Sequence, residues 1–231
     1  MPTMEHAEGG NLTRRDVVRA ERMVAGSSFT ELIAGGAAIV LPILGLVGVL
    51  PISLAAVAFI AIGAAMMIHG GTVGTEAHTL LSDAAVGEST EVDLGGGVNA
   101  QILGGAAVIA LGILALLRIA PFSLLPVSAI VAGGAMVLGA GTASRLASVR
   151  YGTSALSPGQ REVLRESVRA SAGADVLVGL ASIVLGILVL AGIGSLATMV
   201  TLVLVAALAL GGGLFLTGTT TGARMTALLR H

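Results

Sequence analysis

Glu31, Gln101 and Asp175 each stand at the start of a long hydrophobic run in a chain with few polar residues to spare. A polar side chain inside a membrane span is a functional candidate by default. Three of them at one depth would form a ring able to bind a cation or line a vestibule, the chemistry of a small ion or proton channel or transporter. The plainer account is interfacial: a carboxylate at a helix N-terminus is favoured by the macrodipole and reaches water by snorkelling. His69, Glu76 and His78 offer a second cluster. The nine-residue separation of the two histidines matches no recognised metal-ligand spacing, and solvated loop residues account for them better. With no cysteine in the chain, thiolate metal sites and cysteine nucleophiles are excluded. Gly70-Gly71, Gly95-Gly96-Gly97 and Gly211-Gly212-Gly213 lack the lysine of a phosphate-binding loop, and the chain contains no lysine at all. Ser182, Thr198 and Thr201 can bond their own helix backbone, and no Ser/His/Asp constellation accompanies them. The aromatics are Phe29, Phe59, Phe122, Tyr151 and Phe215, too few to stack bases, flavin or haem. The expectation is a non-enzymatic protein without cofactor or metal.

The elements that must position these residues are membrane helices. Apolar residues make up 55% of the chain and charged ones 11%, a balance that a water-soluble fold of this size could not bury. A net charge of −1 gives no reason to expect nucleic-acid binding. About 20 apolar residues cross a bilayer core, and six runs qualify: 31–50, 52–70, 101–120, 122–143, 175–193 and 196–218. Pro51-Ile52-Ser53, Pro121-Phe122-Ser123 and Gly192-Ile193-Gly194-Ser195 join them in pairs, each a tight antiparallel hairpin. Residues 1–28 have four arginines and no apolar core of a cleavable signal, so the first run reads as an uncleaved anchor. All twelve basic residues are arginine, and only Arg118 lies by the hairpin tips, where it can snorkel to lipid headgroups. The positive-inside rule then assigns both termini to the cytoplasm. The implied organisation is a cytoplasmic segment 1–28, hairpin 29–73, an acidic linker 74–98, hairpin 99–145, a linker 146–172, hairpin 173–220 and a tail 221–231.

The hairpins repeat. Residues 31–72 align without a gap on 101–142 with 17 of 42 positions identical, and 31–49 align on 175–193 with 9 of 19. Tandem copies of like topology are related by an axis near the membrane normal. The first helix of each pair has a stripe of small or helix-breaking residues seven apart, Gly35 and Pro42, Gly105 and Gly112, Gly179 and Gly186. Such stripes let helix backbones approach in lipid, within one chain or between copies in a homo-oligomer. Pro42 removes a backbone hydrogen bond at mid-span and should kink the first helix.

Thr13-x-x-Asp16 and Ser157-Pro158-Gly159-Gln160 are helix-start signals for two short cytoplasmic helices. Arg15, Arg19 and Arg22 share a face of the first, and Arg161, Arg165 and Arg169 a face of the second. They suit anionic lipid headgroups or a membrane-complex partner, or simply anchor the cytoplasmic side.

The motif Ile39-x-x-Pro42-Ile43-Leu44-Gly45, then Pro51-x-Ser53-Leu54 and Gly63-Ala64-Ala65-Met66, returns as Ile113-Leu114, Pro121-x-Ser123-Leu124 and Gly133-Gly134-Ala135-Met136. In this it resembles the HdeD-like acid-resistance membrane proteins, small six-helix bacterial proteins of repeated hairpins. That resemblance implies a stress-related role and carries no functional residue with it. The expected fold is all-α and polytopic: six transmembrane helices as three tandem, parallel-related hairpin repeats, with short cytoplasmic interfacial helices.

Overall fold

The computed structural model describes residues 35–84, 88–152 and 158–228, with side chains described at 35–71, 99–141, 170 and 172–216. The described residues form six α-helices: α1 Gly35–Leu46, α2 Pro51–Ala84, α3 Glu88–Leu116, α4 Pro121–Gly152, α5 Pro158–Leu190 and α6 Leu196–Leu228. Five are long and apolar enough to cross a membrane, through Pro51–Gly71, Asn99–Leu116, Pro121–Gly141, Ala172–Leu190 and Leu196–Leu216. Among the described residues the fold is all-helical, and its five long apolar helices are those of a multi-pass membrane architecture.

Local chemistry explains where the helices begin. Proline fixes its own φ and needs no donor in the first turn, and Pro51 and Pro121 open α2 and α4. Ser195 takes that place before α6, where its hydroxyl accepts the Thr198 backbone N–H at 3.3 Å, the ordinary duty of an N-cap. The preceding helices end alike. Val47, Gly48 and Val49 donate to the carbonyls of Ile43, Gly45 and Leu44, and the same three bonds recur at Leu117, Arg118 and Ile119 and at Ala191, Gly192 and Ile193. Two residues in each turn have left-handed backbone: Gly48 and Leu50, Arg118 and Ala120, Gly192 and Gly194.

Three helices run on past the ends of their spans. α2 continues to Ala84, α4 to Gly152 and α6 to Leu228, because no proline interrupts them as hydropathy falls. α5 departs from the expected arrangement. Its start at Pro158 matches the capping signal, but the helix is unbroken to Leu190, so this segment is the first part of a spanning helix rather than a separate interfacial one. Between them stands only Gly173 as a weak breaker, at a cost of about 1 kcal/mol.

The spans of α2, α4 and α6 are 44%, 50% and 44% buried, those of α3 and α5 only 28% and 22%. The first three also touch one another, while α3 packs between α2 and α4, and α5 between α4 and α6. They therefore form an inner triangle with the other helices outside it. Its core is continuous and apolar, with Phe59, Ile62 and Met66 from α2, Ala129, Ala132 and Met136 from α4, and Leu204, Ala207 and Leu210 from α6. Outward, Leu103 and Leu177 remain 69% and 70% exposed among many other large apolar side chains. An apolar surface of this extent fits lipid as the surrounding medium.

Candidate functional site

The polar level is built mainly by glycine. Gln101, on α3, is 8% exposed. Its Cβ lies 3.1 Å from where a Cβ on Gly70 of α2 would sit, and its amide nitrogen occupies the space that a Cβ on Gly139 of α4 would take. A side chain at either glycine would displace it, so Gln101 plugs a slot between two inner helices. Asp175, on α5, is half-buried. It lies one turn before Val178, whose methyl is 3.4 Å from the Cβ position of Gly213 on α6. Glu31 lies outside the described residues. The level thus consists, where described, of a neutral amide seated in a buried slot and a carboxylate near the seam of α5 with α6.

The other candidates divide the same way. His69 is half-buried near the end of the α2 span; the side chains of Glu76 and His78 lie outside the described residues, as do Arg15, Arg19 and Arg22. Arg161, Arg165 and Arg169 fall on the helical backbone of α5, their side chains outside the description. Among the described residues no three His, Cys, Asp or Glu stand close enough to hold a metal ion. Arg118 is exposed in the turn before α4 with φ 64°.

The small-residue stripe lies in helix seams within the chain. A Cβ on Gly105 would be 2.6 Å from the Gly63 carbonyl oxygen, and a Cβ on Gly63 the same distance from that of Gly105. Gly179 and Gly133 face each other in the same reciprocal way between α5 and α4. Gly112 rests against Ala56 and Ile60, and Gly186 against Pro126 and Ile130. Backbones this close leave no room for a side chain in the seam, an approach that glycine allows. Gly63 and Gly133 had a signal in the sequence, since the repeat matches them to each other. Gly139 had one in the small-residue spacing Ala135-x-x-x-Gly139, whereas Gly70 had none.

The first stripe meets α6. A Cβ on Gly35 would lie 3.2 Å from the Phe215 ring, and one on Gly45 would lie 2.8 Å from Leu204. Pro42 is fully buried, and having no N–H it leaves the Ala38 carbonyl without its helical donor. That oxygen is the nearest atom to the Cβ position of Gly211, at 2.5 Å. The proline thus presents an acceptor to α6 at the point where α6 has no side chain.

Of the hydroxyls, Thr201 donates to Ala197 at 2.9 Å and Ser128 to Leu124 at 2.9 Å, both within their own helices. Thr198 joins the Ser195 cap. Ser182, fully buried on α5, has no hydrogen-bond partner. At the turn end of the inner triangle, Ile52, Ala55, Phe122, Leu125, Met199 and Val203 line a shallow apolar recess.

Fold and seams define a class, a multi-pass bundle of close-packed membrane helices. Comparison with known proteins gives no matching family model, no curated relative and no matching solved structure.

Proposed function

We propose that this chain is a non-enzymatic integral protein of the bacterial inner membrane with both termini cytoplasmic. Three hairpin repeats form a compact bundle about an axis near the membrane normal, acting as a structural, stress-related or complex-associated subunit. The observation that carries this reading is the closed inner triangle: Phe59, Ile62, Met66 and Leu210, all fully buried, fill the space that a conducting path along the axis would need. The threefold repetition is supported by the identical cap bonds of the three turns. Its resemblance to HdeD-like proteins makes envelope stress the setting to test first.

A second reading, a small ion or proton conductor, draws on Gln101, Asp175 and Glu31. Burial of an amide within a span favours it. The slot at Gly70 and Gly139 weighs against it, because the amide is spent on filling the slot.

Purified protein reconstituted in proteoliposomes separates the two. No proton or cation flux above that of empty vesicles is expected for the wild type, and the Glu31→Ala and Asp175→Ala variants should be indistinguishable from it. Wild-type flux abolished by either substitution would replace the structural reading with the conducting one. A pull-down of the full chain in mild detergent should then yield a stoichiometric membrane partner or a homo-oligomer.

A further inference from the structure

The first left-handed residue of each turn is Gly48 at φ 97°, Arg118 at φ 64° and Gly192 at φ 71°. All three sit at the same point of the same cap, each donating its N–H three residues back, to Gly45, Ala115 and Val189. Glycine takes this conformation without steric conflict, whereas an L side chain does not. The next left-handed position carries a side chain in two turns of the three, Leu50 and Ala120 against Gly194, so a side chain there does not set the second turn apart. The contrast therefore lies at the first position, where two turns use glycine and the third uses arginine. Backbone strain held where a strain-free residue would serve points to a role for the side chain.

Arg118 is also the only charged residue in turns 47–50, 117–120 and 191–195. It is exposed, and so are its apolar neighbours: Leu117 by 64%, Ile119 by 52% and Leu116 by 42%. A guanidinium within such a collar stands at the border of water and hydrocarbon. An anion arriving from water would meet the charge but gain nothing from the collar. A phospholipid matches both, since its phosphodiester accepts the paired N–H donors of arginine and its acyl chains cover the leucines and isoleucine.

We propose that Arg118 binds the phosphodiester of a phospholipid in the leaflet at the turn end of the bundle, through two parallel N–H···O bonds. Leu117 and Ile119 lie along the acyl chains of the same lipid. This site is independent of what the bundle does as a whole and needs only that the turn reach the headgroup layer.

The test uses the full chain in mild detergent, wild type beside R118K, R118Q and R118G, with bound phosphatidylglycerol counted by native mass spectrometry. At equal lipid concentration R118Q and R118G should retain one lipid fewer than the wild type, and R118K an intermediate amount. A phosphate-free glycolipid should bind all four alike, and millimolar inorganic phosphate should not displace phosphatidylglycerol. R118G should also raise the thermal midpoint in lipid-free detergent by a few degrees, as glycine relieves the turn. Equal retention by R118Q and wild type would overturn the site. Displacement by inorganic phosphate would make it a general anion site and overturn the lipid assignment. An unchanged or lowered midpoint in R118G would remove the strain argument on which the proposal stands.

Discussion

Gly133 and Gly134 are neighbours in α4 with opposite surroundings. A Cβ on Gly133 would collide with the Gly179 carbonyl and the Ile183 side chain, whereas one on Gly134 meets nothing within 4 Å. Alanine at Gly133 must push α5 away, because the obstacle is backbone and cannot rotate aside, and overpacking of this kind costs about 1–3 kcal/mol. At Gly134 the same methyl group lowers the entropy of the unfolded helix and should stabilise by up to about 1 kcal/mol. Thermal unfolding in detergent is expected to rank Gly134→Ala at or above the wild type and Gly133→Ala below it. Equal midpoints for the two variants would mean that the seam is looser than its geometry. The residue scale is also where the sequence was least explicit about the candidate site. Spacing alone aligned Glu31, Gln101 and Asp175, but it did not indicate that Gln101 would be enclosed by Gly70 and Gly139. Which side chain faces which glycine depends on neighbours that a single chain's periodicity does not name.

The elements were far more legible. An apolar run of about 20 residues is required by the thickness of hydrocarbon, and such runs located the five long spans to within a few residues of Pro51–Gly71, Asn99–Leu116, Pro121–Gly141, Ala172–Leu190 and Leu196–Leu216. Proline at 51 and 121 marked two helix starts, and Ser157-Pro158 a third. Helix ends were harder, because hydropathy records where a helix leaves the lipid and not where it stops. α2 has 34 residues, about 50 Å at 1.5 Å per residue, well beyond a core of roughly 30 Å. The turns have their own test. Gly48 and Gly192 hold φ values of 97° and 71°, so alanine at either should cost about 1–2 kcal/mol. Leu50, at φ 38° in the same turn, should respond the other way, with Leu50→Gly at least as stable as the wild type. Chemical denaturation in detergent micelles measures both. A loss on Leu50→Gly equal to that on Gly48→Ala would indicate that side-chain packing, not backbone conformation, governs the turn.

At the scale of the whole molecule, α6 returns to α1. Gly105 and Gly179 meet Gly63 and Gly133, and the internal repeat makes Ala207 the equivalent partner of Gly35. Gly35 instead faces Phe215, roughly two turns further along α6 at 3.6 residues per turn. The third copy lacks a glycine at 207 and has Gly211-Gly212-Gly213 beyond it. Close approach therefore moves to Gly211, where the carbonyl freed by Pro42 waits on Ala38. The repeat alone could not give this register, since the departure arises from the residues that break it. The closure can be trapped directly, because the chain has no native cysteine. A Cβ built on Gly35 lies 3.6 Å from the Cβ of Phe215, within the roughly 3.5–4.5 Å spanned by a disulfide. Gly35→Cys combined with Phe215→Cys should oxidise in membranes to a single-chain species that migrates faster in denaturing gels, reverts on reduction and forms at the same yield at any expression level. Gly36→Cys with Phe215→Cys, one residue out of register, should oxidise markedly less. A cross-linked dimer whose yield rises with expression would assign the α1–α6 contact to neighbouring copies. No cross-link in either pair would detach α1 from α6 and open the outer layer between the first and last helices, and the case against a conducting path would then rest on the inner triangle of α2, α4 and α6 alone.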